Sequence, residues 1–104
     1  MTTARTAIQE VSPKLAELSA DVLFGDVWER PGLSKRDRSL ITVASLIALY
    51  RTDQLRGHLG RALDNGVTRE EIAEVITHMA FYGGWSTAAN ASLVAKEVFD
   101  GRGS

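Results

Sequence analysis

Cysteine is absent from this chain of 104 residues. Its absence excludes disulfides, thiol redox chemistry, covalent thiol catalysis and thiolate metal sites. Histidine is scarce, with only His58 and His78, so no metal centre is expected. Neither sign of charge dominates: 12 Lys and Arg stand against 13 Asp and Glu. A nucleic-acid binder needs a basic excess to compete for phosphates, so no nucleic-acid partner is expected. Long apolar runs are missing as well. The longest, Leu40 to Tyr50, is interrupted by Thr42 and Ser45 and falls short of the ~18 residues a membrane span requires. Residues 1–10 carry no continuous apolar core of the secretory type. A cytoplasmic protein without a membrane partner is the expectation.

What is present has the balance of a globular protein, 44% hydrophobic and 24% charged, and 1–104 reads as a single domain. So short a chain leaves much of its surface unburied, and self-association is the usual way to finish such a core.

Helix punctuation runs the length of the sequence. Ser12-Pro13 reads as a helix start, because proline has no N–H to lose there. The segment carrying Leu15, Leu18, Val22 and Leu23 runs toward Trp28, and Arg30-Pro31-Gly32 breaks it. Ser34 and Asp37 resemble a capping box, followed by a helix from Leu40 to Leu49 that is apolar almost all round and is expected to be buried on most faces. Thr52 is the expected cap of the next helix, with Leu55, Leu59, Ala62 and Leu63 as its stripe and Asn65-Gly66 as its end. Thr68 and Glu71 form a capping box before Ile72, Val75, Ile76, Met79 and Ala80. Gly83-Gly84 interrupts, Ser86 or Thr87 opens a last helix, and Gly101 closes it before a frayed tail to Ser104. No segment alternates with period two. The fold class is all-α, with five to six helices.

The residues able to do chemistry are few. An imidazole titrates near neutrality and can give or take a proton. His58 borders the stripe of Leu55 and Leu59, and His78 lies near Val75 and Ile76; each either bonds a neighbouring carbonyl or works in a site. Gly57 and Gly60 share a face of the His58 helix, at roughly 1 kcal/mol each against alanine, which implies a need for room, for a packed helix or for a ligand. Arg38, Arg51 and Arg56 carry forks suited to carboxylates, although solvation is the preferred reading for Arg56. The aromatics of Phe81-Tyr82-Gly83-Gly84-Trp85 are either core filler or a pocket wall, and Glu74 and His78 are spaced to pair.

Several segments taken in order carry a resemblance: Trp28-Glu29-Arg30-Pro31-Gly32-Leu33-Ser34, Arg36-Asp37-Arg38-Ser39-Leu40, His58-Leu59, Ala62 to Ile72, and Val75-Ile76-Thr77-His78. From about Val27 to Phe99 the chain resembles the carboxymuconolactone decarboxylase family. That resemblance implies an alkyl hydroperoxidase D-like helical fold and a homo-oligomer, often a hexamer built as a trimer of dimers. The superfamily's thiol enzymes carry C-x-x-C-x-x-x-H. Laid on this chain, the pattern places Arg51 and Gln54 at the thiol positions and keeps His58.

The activity implied is a lyase without cofactor, releasing CO2 from a small carboxylated lactone or enone. His58 would be the proton donor, with His78 as a second donor. Arg51 and Arg38 would clamp carboxylates, and Gln54, Gly57, Tyr82 and Trp85 would line the site. Two other readings remain: a non-catalytic binder of small carboxylates, and a proton-transferring isomerase on the same scaffold. One outcome follows directly from the missing thiols. The purified chain supplied with a dithiol reductant consumes no organic hydroperoxide above the buffer rate, as measured by residual peroxide.

Overall fold

Backbone N–H groups at a helix start need acceptors, and two side chains supply them where the sequence places them. In the computed structural model, which describes residues 3–102, Ser34 accepts from Asp37 N at 3.0 Å. Thr68 and Glu71 form a reciprocal box, at 3.0 and 2.9 Å. These caps open α3 (Lys35–Ala48) and α5 (Arg69–Tyr82); α4 (Thr52–Asp64) and α6 (Trp85–Gly101) complete the second of two units, which begins at Ser34. The first, ending at Leu33, holds α1 (Ala4–Val11), α2 (Pro13–Leu18), a π-helical segment Ser19–Phe24 and a 3-10 turn Val27–Glu29. Six α-helices and no strand are found among the described residues.

In the first unit, Thr3 and Thr6 form a capping box at the head of α1, a helix absent from the sequence reading. Pro13 is the first residue of α2, but the Ser12 side chain does not cap it. The hydroxyl donates back to Ile8 O at 3.3 Å instead. Trp28 is buried and stacks on Phe24 with ring centroids 5.9 Å apart.

In the second unit, α3 and α6 each pack on both α4 and α5, which puts α4 and α5 across the bundle from one another. Val43 and Ile47 of α3, Leu55 and Leu59 of α4 and Ile72 of α5 fill the centre. Helix α6 contributes Ala88, Ala91, Val94 and Ala95, small side chains that let its backbone approach closely. Asn65 donates to the buried Ser39 hydroxyl at 3.0 Å, tying the α4–α5 turn to α3. Ion pairs Arg36–Glu71 and Arg102–Asp64 join helices at this same end.

Several boundaries differ from the expectation. Arg51, not Thr52, holds the cap position of α4, and no side chain bonds there. Helix α6 begins at Trp85, before Ser86 and Thr87, because Gly84 adopts φ 118° and turns the chain one residue earlier. Gly66, at φ 96°, ends the α4 turn as expected. Gly101 belongs to the last turn of α6, and Arg102 N bonds Val98 O at 3.1 Å; Gly103 and Ser104 lie outside the described residues.

Two features of α3 were not anticipated. Only the Ser39, Val43, Ile47 face is buried, while Ile41 and Leu49 stand exposed. The bundle covers α3 from one side, so its second apolar face has no cover among the other helices of the second unit. At its C-terminus, Tyr50 N bonds Ile47 O and Arg51 N bonds Leu46 O, at 3.0 and 2.9 Å. This closure puts Tyr50 at φ 59°, in the left-handed region that usually takes glycine or asparagine. The conformation costs a side chain about 1 kcal/mol or more.

The α5–α6 turn approaches the end of α3 closely at Gly83, where an added β-carbon would stand 3.0 Å from Ala48 Cα and 3.3 Å from its Cβ. Backbone cannot yield as a flexible side chain does. Gly83→Ala is expected to destabilise by about 1–3 kcal/mol. Gly57, where an added β-carbon meets nothing within 4 Å, behaves oppositely: Gly57→Ala stabilises by about 1 kcal/mol. Thermal melts of the two variants test both signs.

Candidate active site

The connections fix which residues share an end of the bundle. Helices α3 and α5 finish at the end where α4 and α6 begin, and Gly83 against Ala48 marks the contact. Arg51 and Gln54 therefore lie at the same end as Tyr82 and Trp85. From the helical rise of ~1.5 Å per residue, His58 lies about 9 Å along α4 from its first residue. His78 lies about 6 Å before the last residue of α5. Arg38 is near the start of α3, about 15 Å of helix away from Ala48. Within one chain, then, Arg38 and Arg51 stand toward opposite ends of the bundle.

The two histidines have different surroundings. His58 is half-buried on the flank of α4, and its Nδ1 atom is enclosed. Desolvation holds its pKa below the ordinary 6.5, and the positive charge of Arg61 one turn on adds to the effect. Both causes disfavour the imidazolium, so the ring is mainly neutral at pH 7 in the empty chain. His78 is exposed. It stacks on Tyr82, with centroids 4.7 Å apart and planes at 26°, instead of pairing with Glu74. His78 lies two residues past the buried Ile76, about 200° around the helix, which rotates it away from the core-facing stripe of Ile72 and Ile76.

Arg38 is half-buried with its Nε enclosed, whereas Arg51, Gln54 and Gly57 are exposed. Tyr82 and Trp85 are 77% and 72% exposed. The expected aromatic wall is thus a surface in the single chain, with Phe81 set edge-on to Trp85 at 6.4 Å. Two open hollows adjoin these residues. One, of about 530 Å³, is an apolar groove between α5 and α6 bounded by Phe81, Trp85, Ala88 and Ala89. The other, of about 460 Å³, is polar and lies over Gly57, Gly60, Arg61 and Asp64, with Arg102 across it. His58 lines neither. Among the described residues no group of three or more His, Asp or Glu is placed to hold a metal ion.

Arg61 was missed in the sequence, although its spacing of three from His58 puts the two on neighbouring positions of one helical surface. That spacing is the signal in the sequence for the Arg61 charge that lowers the His58 pKa.

The second unit is thus all-helical, with a half-buried histidine, a guanidinium one turn from it and an exposed aromatic end. The carboxymuconolactone decarboxylase family model matches residues 13–97, and the chain belongs to that family. It is 47% identical over 76 residues to 4-carboxymuconolactone decarboxylase of Acinetobacter baylyi, covering 73% of this chain and 57% of that one. It is 36% identical over 84 residues to nitrosuccinic acid decarboxylase npaB of Metarhizium robertsii, covering 81% and 59%. An uncharacterized 15.0 kDa protein of Paracoccus denitrificans is 30% identical over 95 residues, covering 89% and 71%. The chain spans less than three fifths of the length of the two decarboxylases.

The environment of His58 gives a direct test. Its imidazole resonances should titrate with a midpoint below 6.5, and Arg61→Gln should move that midpoint part of the way back, since desolvation, the larger cause, remains. The unfolded chain binds the proton more readily, so His58 lowers stability as pH falls below about 6.5 toward the folded midpoint. Above that window its contribution is constant.

Proposed function

We propose that the chain is a decarboxylase that acts on a small polycarboxylate carrying its own electron sink, with no bound cofactor. The observation that carries this reading is the likeness to two proteins named as decarboxylases of different acids. The chemistry of the two named substrates is alike. In a carboxylated unsaturated lactone, the electron pair of the breaking C–C bond runs through the double bond to the carbonyl oxygen. In nitrosuccinate, the pair left by a carboxylate on the nitro-bearing carbon runs to nitro oxygens. Each reaction needs a gripped carboxylate, a stabilised oxyanion and a proton returned to carbon.

In this reading His58 returns the proton. Its depressed pKa in the empty chain reverses when a carboxylate arrives beside it, because an adjacent anion favours the imidazolium. The ring is charged while substrate is present, gives its proton to the carbanionic carbon after CO2 leaves, and is reprotonated from water. Arg51 and Gln54 hold carboxylate oxygens at the aromatic end, Arg38 supplies a further cation, and His78 on Tyr82 is a second donor. Tyr82, Trp85 and the open backbone at Gly57 line the substrate. A homo-oligomer, as a hexamer of three dimers on the alkyl hydroperoxidase D-like fold, completes the site. The apolar side chains of Ile41, Leu49, Phe81, Trp85 and Leu93 that one chain leaves exposed support assembly.

The test uses purified protein with 4-carboxymuconolactone and with nitrosuccinate, followed by CO2 release without added cofactor. Turnover of at least one acid is expected, with His58→Ala lowering kcat by about 10²–10⁴-fold while the melting curve is retained. Undiminished turnover in that variant would falsify the role of His58. Solvent deuterium entering the acid with no CO2 formed would point to the isomerase instead.

A further inference from the structure

Among the described residues, no side-chain contact of Tyr50 accounts for its left-handed conformation at the end of α3. Tyr50 is 54% exposed, so the conformation does not serve to bury the ring. Its side chain makes no hydrogen bond, ion pair or ring contact among the described residues. Glycine or asparagine at this position would close the helix by the same two backbone bonds without the steric conflict. A bulky residue held at positive φ is a true outlier, and such outliers collect at functional sites where the surroundings require the side chain.

The position of the turn indicates what the side chain serves. It stands directly before Arg51 and four residues before Gln54, both exposed, at the end of the bundle that carries Tyr82 and Trp85. A phenol donates one hydrogen bond and a guanidinium a planar fork, and together they suit the two oxygens of a carboxylate. A contact with another protein would be served by the neighbouring Leu49, itself 60% exposed, and needs neither the hydroxyl nor the strained backbone. We propose that Tyr50 is a substrate-contacting residue whose phenol, presented beside Arg51 at the aromatic end of the bundle, donates a hydrogen bond to a substrate carboxylate. This assignment rests on the decarboxylase reading for the nature of its ligand.

Three variants of the full chain separate the possibilities. Tyr50→Phe keeps the ring and backbone but removes the donor; Tyr50→Gly and Tyr50→Asn relieve the backbone. Melting temperature, assembly mass by sedimentation, the KM for 4-carboxymuconolactone and the calorimetric Kd for succinate, a dicarboxylate with no electron sink, are measured for each. Tyr50→Gly and Tyr50→Asn are expected to melt about 4 °C higher at unchanged mass. All three variants are expected to weaken succinate binding and to raise KM by about tenfold. Unchanged succinate binding and KM in Tyr50→Phe overturn the assignment and leave decarboxylation standing. A smaller assembly in any variant also overturns it, making Tyr50 a residue of the interface. Succinate binding that depends on Tyr50 in a protein releasing no CO2 supports the assignment and sinks the decarboxylase. A wild-type protein that binds neither acid overturns both.

Discussion

The contact between Gly83 and the end of α3 is the constraint on which the aromatic end of this bundle depends. Because position 83 carries no β-carbon, the α5–α6 turn lies against Ala48. That approach gathers four helix termini and the residues between them: Tyr50 and Arg51 from one connection, Tyr82 and Trp85 from the other. The opposite end is fixed differently, by the Asn65–Ser39 hydrogen bond and by ion pairs. Polar ties hold one end, and close backbone packing shapes the other. The exposed aromatic side chains occur at the second.

The apolar content of the chain exceeds what one copy encloses. Helix α3 has aliphatic residues on nearly every face, yet its buried side is the single row Ser39, Val43 and Ile47. Periodicity shows that a helix carries two apolar faces; it does not show whether both are covered by the same chain. The expectation that α3 is buried on most faces failed for this reason. The same surplus reappears at Phe81, Trp85 and Leu93.

Legibility followed the locality of the interaction. The caps at Ser34 and Thr68 were readable because both partners lie within one turn, and Gly66 because few residues adopt positive φ without strain. The Thr3–Thr6 box escaped notice because threonine is an uncommon reciprocal partner at the third helical position. The turn at Tyr50 was illegible for the opposite reason: the closure of α3 imposes a conformation that the residue itself disfavours. For the candidate residues, the sequence placed His58 on its helix beside the Leu55 and Leu59 stripe, but did not give the exposure of His78 or the separation of Arg38 from Arg51. Those depend on how helices distant in the sequence are arranged around the core.

The two influences on His58 belong to one linkage. In the empty chain, burial and Arg61 act together to keep the ring neutral, and a neutral imidazole is a poor acid toward carbon. If a bound carboxylate restores the proton, thermodynamic reciprocity requires that the proton tighten the carboxylate by the same factor. Arg61 then has opposed effects: it repels the imidazolium and attracts the substrate anion. A carboxylate close to both cations would offset the repulsion that lowers the pKa. On the reading proposed above, an acid of this kind is formed by its substrate: the imidazolium is favoured when a carboxylate stands beside it, which is the order of events that proton return to carbon demands.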